Sequence, residues 1–340
     1  MKRDEIRQLC ALDGVSGRES AVRDWLKARL EECPAVRQMK VDPLGNLLVW
    51  VNGRKKANKT VLFSAHMDEV GMIVSDVSED GYLALTAVGG VDPAVVFGRM
   101  ARVNGRIGVI GGKAIHQCKD EERKSQPGWD ALRLDIGVAS KEEALAIAQP
   151  GDSVVFDHCF EELGDDRIKA KALDDRMGCL LLLEMIRRQP EYDIVVSFVV
   201  QEEIGLRGST VAGFTLRPDI AVVVETTTAL DLAGVCGAKR VCEVGKGPVV
   251  SFMDRRTLYD EPLYRQIRSW ADEAGIPNQT KTVVAGGNDA GALQRAGEGA
   301  RVAAVSLACR YLHSPACVLS WKDAEDTLRL LHILADRLPA

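Results

Sequence analysis

The sequence predicts an α/β fold: a mixed, mainly parallel sheet flanked by helices, with a smaller inserted β-rich domain. Three observations carry this. After about Asp165, continuous apolar runs such as DIVVSFVVQ and IAVVV alternate with helical segments, as in a parallel sheet covered on both faces. Between about Gly71 and Asp157 the pattern changes to short alternating runs with tight turns. Side chains able to hold metals recur just behind apolar runs, which gathers them in one crevice at the carboxyl edge of the sheet. The main domain is expected to comprise residues 1–70 and 166–340, and the insert residues 71–165.

Each element has its own signal. Ser16-Gly-Arg-Glu19 is a capping-box pattern, and Val22, Trp25, Leu26 and Leu30 follow at helical spacing. LLVWV and VLFSAH read as strands. In the insert come GMIVSDV and YLALTAV, then ARVNGRIGVIGG with Asn-Gly as a turn signal. Ser140 caps a short helix from Lys141 to Ala148, and DSVVFD closes the module. Lys119–Trp129 is polar and contains Pro-Gly, as in an exposed, mobile loop. Beyond the insert, MGCLLLLEMIRR, EPLYRQIRSWADEAG and Lys322–Arg337 read as helices. DIVVSFVVQ, IAVVV, TKTVVAGG and ARVAAVSLA read as strands.

Composition excludes several classes. Hydrophobic residues make up 46% of 340, enough for a sizeable core. A net charge of −5 without a basic run argues against a nucleic-acid partner. No apolar run approaches the roughly 20 residues of a membrane span. The N-terminal MKRDEIRQLC has no apolar h-region, so it does not read as a secretory signal. Nine scattered cysteines without a CxxC pair fit reduced thiols in the cytoplasm.

The chemistry-bearing residues are His66, Asp68, Asp174, Asp175, Glu202, Glu203, Glu225 and His313. Imidazoles mixed with carboxylates suit zinc, cobalt or manganese better than calcium or magnesium. Residues two apart in a strand share a face, so Asp68 is expected beside His66, fixing its tautomer. Adjacent Glu202 and Glu203 repel each other unless a cation is present; one can bind it while the other takes a proton from water. Asp174 and Asp175 open a helix, where simple capping competes with metal bridging. A strand-end charge is the plain alternative for Glu225, and a loop histidine for His313. His116, His158 and His332 read as structural or surface residues. The implied chemistry is hydrolysis by a metal-activated water.

SAHMDEVG, KALDDRMGC, QEEIGLRGS, IAVVVETT and RYLHSP occur in the order and spacing of the tetrahedral, or TET, aminopeptidases, the deblocking or glutamyl-type enzymes with two metal ions. GVSGRE and LRLDIGVASKEEA also look like that family, and the resemblance runs over essentially the whole chain. It implies that His66, Asp174, Glu203, Glu225 and His313 hold two divalent ions, zinc or cobalt. Asp174 would bridge them, although the residues themselves do not separate it from Asp175. Glu202 would be the general base and acid, and Asp68 would orient His66. The substrates would be short peptides cut from the N-terminus. The insert would pair subunits into dimers that assemble into a tetrahedral dodecamer. Two departures stand out: Glu225 replaces the family's usual Asp, and Asn288 in GGNDAG replaces Thr.

Two rival classes remain. An endoglucanase-like glycoside hydrolase would use Glu202 with a second carboxylate. It would leave His66 and His313 without a role, and with aromatics at only 5% sugar platforms are scarce. A catalytically inactive assembly protein of the same fold is the other. A carboxypeptidase or amide deacylase on the same core would read a substrate carboxylate with an Arg.

Overall fold

A computed structural model describes residues 1–120 and 124–340. Its centre is an eight-stranded sheet in the order 36–41, 47–51, 194–199, 61–66, 220–228, 301–309, 249–250, 279–280. The four central strands, 194–199 to 301–309, run parallel. The strand pair at 36–51 adds antiparallel to 194–199, and 249–250 adds antiparallel to 301–309. LLVWV therefore makes the sheet mixed.

Both faces of the central strands are buried, and alternate residues divide between them. Phe63, Val196, Phe198, Val222, Val224, Val305 and Leu307 pack under helices Arg3–Ala11, Ser20–Leu30, Leu173–Arg187, Glu261–Glu273 and Trp321–Arg337. Leu62, Val195, Ala221, Val223, Val302 and Ala304 face Tyr259, Ala290 and Leu293. This explains why the strands are apolar throughout rather than alternating.

The insert forms a closed barrel in the order 71–77, 83–88, 133–135, 106–111, 100–103, 153–156. It has its own core, including Met72, Val74, Leu85, Ile110, Leu134 and Val154. Asn104 and Gly105 both adopt positive φ and close the hairpin between Val103 and Arg106. The Ser140-capped helix covers Lys141–Leu145. Part of the expected loop Lys119–Trp129, residues 121–123, lies outside the described residues; Trp129–Ala131 is a 3-10 turn. A three-stranded sheet of 161–163, 167–170 and 317–320, not foreseen from the sequence, joins the chain leaving the barrel to the segment behind His313.

Three local expectations change. Ser16-Gly-Arg-Glu19 is not a capping box: the helix starts at Ser20 without a side-chain cap. Ser16 is drawn to Asp68, and Glu19 accepts from the Gly17 and Gln201 amides. Of TKTVVAGG only Thr280 is strand, at the end of Gln279–Thr280, because the short partner Val249–Val250 offers no longer ladder. IAVVV continues through Glu225 to Thr228, so Glu225 lies within a strand. All nine cysteines are free thiols, and among the described residues no helix is long and apolar enough to cross a membrane.

Candidate metal centre

The parallel strands deliver the first residues. The ladder between 220–228 and 61–66 ends at Val223 and Ser64, so Glu225 stands just past its neighbour's last pairing. There it meets His66, whose strand also ends at this edge. His66 Nε2 lies 3.5 Å from Glu225 Oε1 and 3.4 Å from Asp174 Oδ1. Asp174 Oδ2 is 3.7 Å from His313 Nε2, which is 3.4 Å from Glu203 Oε2. Two ligand groups result, His66–Asp174–Glu225 and Asp174–Glu203–His313, with the ligand atoms of each within 4.8 Å of one another. Asp174 belongs to both. A further grouping joins His66, Glu202 and Glu203.

Both histidines are oriented alike. His66 Nδ1 is 3.1 Å from the Asp68 carbonyl, and His313 Nδ1 is 3.0 Å from the Gly90 carbonyl. A carbonyl only accepts, so each Nδ1 carries the proton and each Nε2 faces the carboxylates. Gly90 lies between barrel strands 83–88 and 100–103, so the insert helps to aim His313. A Cβ at Gly90 would come within 3.1 Å of that imidazole.

Asp68 differs from the sequence expectation. His66 ends the strand, so the same-face argument does not apply, and the closer contact to the imidazole is the Asp68 backbone carbonyl. The carboxylate, 3.4 Å from Nδ1, accepts from Ser16 Oγ at 2.6 Å and from the Glu202 and Glu203 amides at 3.0 and 3.1 Å. It therefore fixes the turn that presents the two glutamates.

Asp174 and Asp175, joined by a cis peptide, part company. Asp175 Oδ1 accepts from the Gly178 amide at 3.0 Å, capping the regular part of the helix. A Cβ at residue 178 would meet this carboxyl at 2.3 Å, so glycine is required there. Asp174 Oδ1 is buried without a hydrogen-bond partner.

Crowding carboxylates in a buried site perturbs them all. Burial, with the Asp174 charge adding to it, pushes Glu225 up to about 8 despite His66. Burial raises Glu202 well above the carboxylate range, and the Asp289, Glu225 and Glu203 charges reinforce it. Glu203 rises through burial and Asp174. Burial disfavours the His66 imidazolium, but Glu225, Asp174 and Asp68 outweigh it. Excess anionic character, an orphaned Asp174 oxygen and two Nε2 atoms aimed inward form a donor set that fits divalent cations.

Sequence reasoning missed three supports. Glu69, beside Asp68, pairs with Lys171 at 2.6 Å and with Arg176 at 3.3 Å, all three nearly solvent-free. Arg176 also donates to the Met67 carbonyl at 2.8 Å. This network ties the segment after His66 to the one carrying Asp174. Its signal was Lys171 and Arg176 flanking LDD within an apolar stretch. The fully buried Asp289 also escaped notice; both its carboxyl oxygens lack partners, and burial raises it to about 6. His116, His158 and His332 are absent from these ligand groups.

The chain thus joins a mixed α/β sheet, an inserted barrel and one shared His–carboxylate cluster. Residues 45–330 match the family model described as M42 glutamyl aminopeptidase. The chain belongs to that family. It is 31% identical to the lysyl aminopeptidase of Pyrococcus furiosus, covering 98% of this chain and 96% of that one. It is 29% identical to the glutamyl aminopeptidase of Lactococcus lactis subsp. cremoris, covering 94% and 92%. Among solved structures, the TET aminopeptidase of Thaumarchaeota archaeon SCGC AB-539-E09 superposes with TM-score 0.94 at 32% identity, covering 98% and 96%. The Pyrococcus horikoshii TET1 peptidase, which can assemble into a tetrahedron or a large octahedral shell, gives 0.86 at 31%, covering 98% and 99%. An endoglucanase of Thermotoga maritima gives 0.81 at 33%, covering 98% and 97%.

Proposed function

We propose that this protein is a dinuclear metalloaminopeptidase that removes N-terminal residues from short peptides. The observation that carries this is the position of Asp174, shared by two ligand groups that line one cavity of about 270 Å3. His66, Asp174 and Glu225 would hold one divalent ion; Asp174, Glu203 and His313 would hold the other. Zinc or cobalt suits this imidazole–carboxylate set. When bound, such ions lower the pKa of water and polarise a scissile carbonyl.

The chain's own residues do the rest. The Glu202 carboxylate lines the cavity and accepts the proton of the attacking water, then returns it to the leaving amine nitrogen. Asp68 holds the Glu202 and Glu203 amides, so the base and its neighbouring ligand keep their separation. The anionic wall attracts a substrate ammonium and repels a C-terminal carboxylate. Asn288, where the family has Thr, exchanges hydrogen bonds with Tyr259 and accepts from the Ala290 amide, supporting this rim. The longer Glu225 reaches His66 directly.

Domain roles are part of the reading. Residues 1–70 and 166–340 carry the ligands, and the insert of residues 71–165 mediates self-association into dimers and a dodecamer. Phe97, Met100, Ile107 and Val109 leave an apolar surface exposed on the barrel, which supports this.

A second reading, glycoside hydrolysis, is favoured only by the similarity to an endoglucanase. Among the described residues no Phe, Tyr or Trp lines the cavity to stack a sugar. A hexapeptide digest followed by mass spectrometry tests the proposal. The expected result is a ladder shortened from the N-terminus, blocked by N-acetylation and indifferent to C-terminal amidation. Shortening from the C-terminus, cleavage of β-glucan alone, or no cleavage in metal-loaded protein would each reject it.

A further inference from the structure

We propose that Glu19, with Ser16 beside it, is a positioning residue for the reaction: it holds the backbone turn that presents Glu202, and so sets where that carboxylate meets the attacking water. This rests on the reading of Glu202 as the general base of an aminopeptidase and adds an N-terminal segment to the machinery. Neither Ser16 nor Glu19 lines the cavity or joins a ligand group.

The parallel ladder ends at Val199, opposite His66, and the chain then leaves the sheet. The next four amides have a side-chain acceptor each, supplied from other parts of the chain. Val200 N donates to Asn46 Oδ1 at 2.9 Å and Gln201 N to Glu19 Oε1 at 3.1 Å. Glu202 N donates to Asp68 Oδ1 at 3.0 Å and Glu203 N to Asp68 Oδ2 at 3.1 Å. Carbonyls of the same turn are satisfied from within it: Val200 O accepts from Gly208 N, Gln201 O from Arg207 N and Glu202 O from Leu206 N. The base and its neighbour thus stand on a turn whose row of donors is held by three separate segments.

Gln201 is the strained member of that turn. Its φ is 57°, a left-handed conformation that a residue other than glycine keeps only where its surroundings over-determine it. Glu19 fastens its amide and is itself fixed. It is only 5% exposed, and its Oε1 also accepts the Gly17 amide at 2.7 Å. Gly17, at φ 85°, turns the chain so that Arg18 N closes on Val15 O at 2.7 Å. Ser16, in the same turn, donates to Asp68 Oδ2 at 2.6 Å, the oxygen that receives Glu203 N. One short arch therefore steadies Gln201 directly, and Glu202 and Glu203 through Asp68. A general base must sit within hydrogen-bond reach of the proton it takes, and a misplacement of about 1 Å can cost about 10²-fold in rate. Removing the Glu19 carboxylate leaves the Gln201 amide unpaired one residue before that base.

The test is kcat and KM for N-terminal cleavage of one hexapeptide by metal-loaded protein, with metal content measured on each sample. The set is wild type, Glu19→Gln, Glu19→Ala, Glu202→Gln and the double variant Glu19→Ala/Glu202→Gln. Glu19→Ala should lower kcat at least about tenfold with KM and metal content near wild type, because the turn shifts the base rather than the substrate or the ions. Glu19→Gln keeps an acceptor for both amides and should stay within about threefold of wild type. In the Glu202→Gln background, where no base remains to be positioned, Glu19→Ala should change kcat by less than about twofold. A merely structural role would lower kcat equally in both backgrounds, and that result would overturn the inference. So would a change confined to KM, a loss of metal, or Glu19→Gln as damaging as Glu19→Ala. If Glu19→Ala does not fold, Ser16→Ala runs through the same cycle. A fall of about threefold that vanishes with Glu202→Gln supports the arch, and equal falls, or none, overturn it. A wild type that cuts no peptide would overturn the inference together with the aminopeptidase reading.

Discussion

Asp174 and Asp175 are adjacent in the chain yet serve opposite surroundings: Asp174 Oδ1 lies 3.4 Å from His66 Nε2, while Asp175 Oδ1 takes the Gly178 amide at 3.0 Å. Two carboxylates that look equivalent in KALDDRMG are thus a member of two candidate ligand groups and a helix cap. Asp174→Ala should lower bound metal below one ion per chain with little change in Tm. Asp175→Ala should cost about 1 kcal/mol of stability, the usual scale of a lost cap. Elemental analysis and thermal melts check both; the reverse pattern would exchange the assignments.

Removal of metal with a chelator should abolish peptide hydrolysis, and added zinc or cobalt should restore it. Full activity in protein shown by elemental analysis to be metal-free would refute the metal reading.

Glu202→Gln should lower kcat by about 10²-fold or more, the scale of a lost general base, with metal content near wild type. Glu203→Ala should instead lower metal content. If Glu202→Gln loses metal and Glu203→Ala keeps it, the two roles must be exchanged.

Self-association through the barrel predicts that light scattering on the intact protein finds a species larger than one chain. Replacing both Met100 and Ile107, each nearly half exposed, with Glu should shrink it. An unchanged size would move the interface elsewhere.

His332 supplies a pH test remote from the site. Burial, aided by Arg188, lowers it from the ordinary 6.5 to about 4. The unfolded chain therefore binds a proton more readily than the folded one between these values. Stability should fall as pH drops from about 6.5 towards 4. His332→Asn should flatten the Tm profile in that window; an unchanged slope would assign the acid sensitivity to other groups.

How legible was all this? The alternation of apolar runs and helices gave the covered sheet, because burial on both faces leaves no room for polar alternation. Short runs punctuated by Asn104-Gly105 gave the barrel's style, because that turn needs positive φ at both residues. The ligand residues stood out as charges ending apolar runs. Their roles were less legible: Ser16 looked like a helix cap and is a partner of Asp68.

The sequence by itself determined the α/β class, the inserted β module and the ligand residue types, since each depends on local periodicity and side-chain chemistry. Only the tertiary structure decided which carboxylate meets which imidazole. Asp174 joins both clusters because strands 61–66 and 220–228, far apart in the chain, end side by side, and because the segment at Gly90 turns His313 inward. Those contacts depend on register and chain crossing, and no local pattern encodes them.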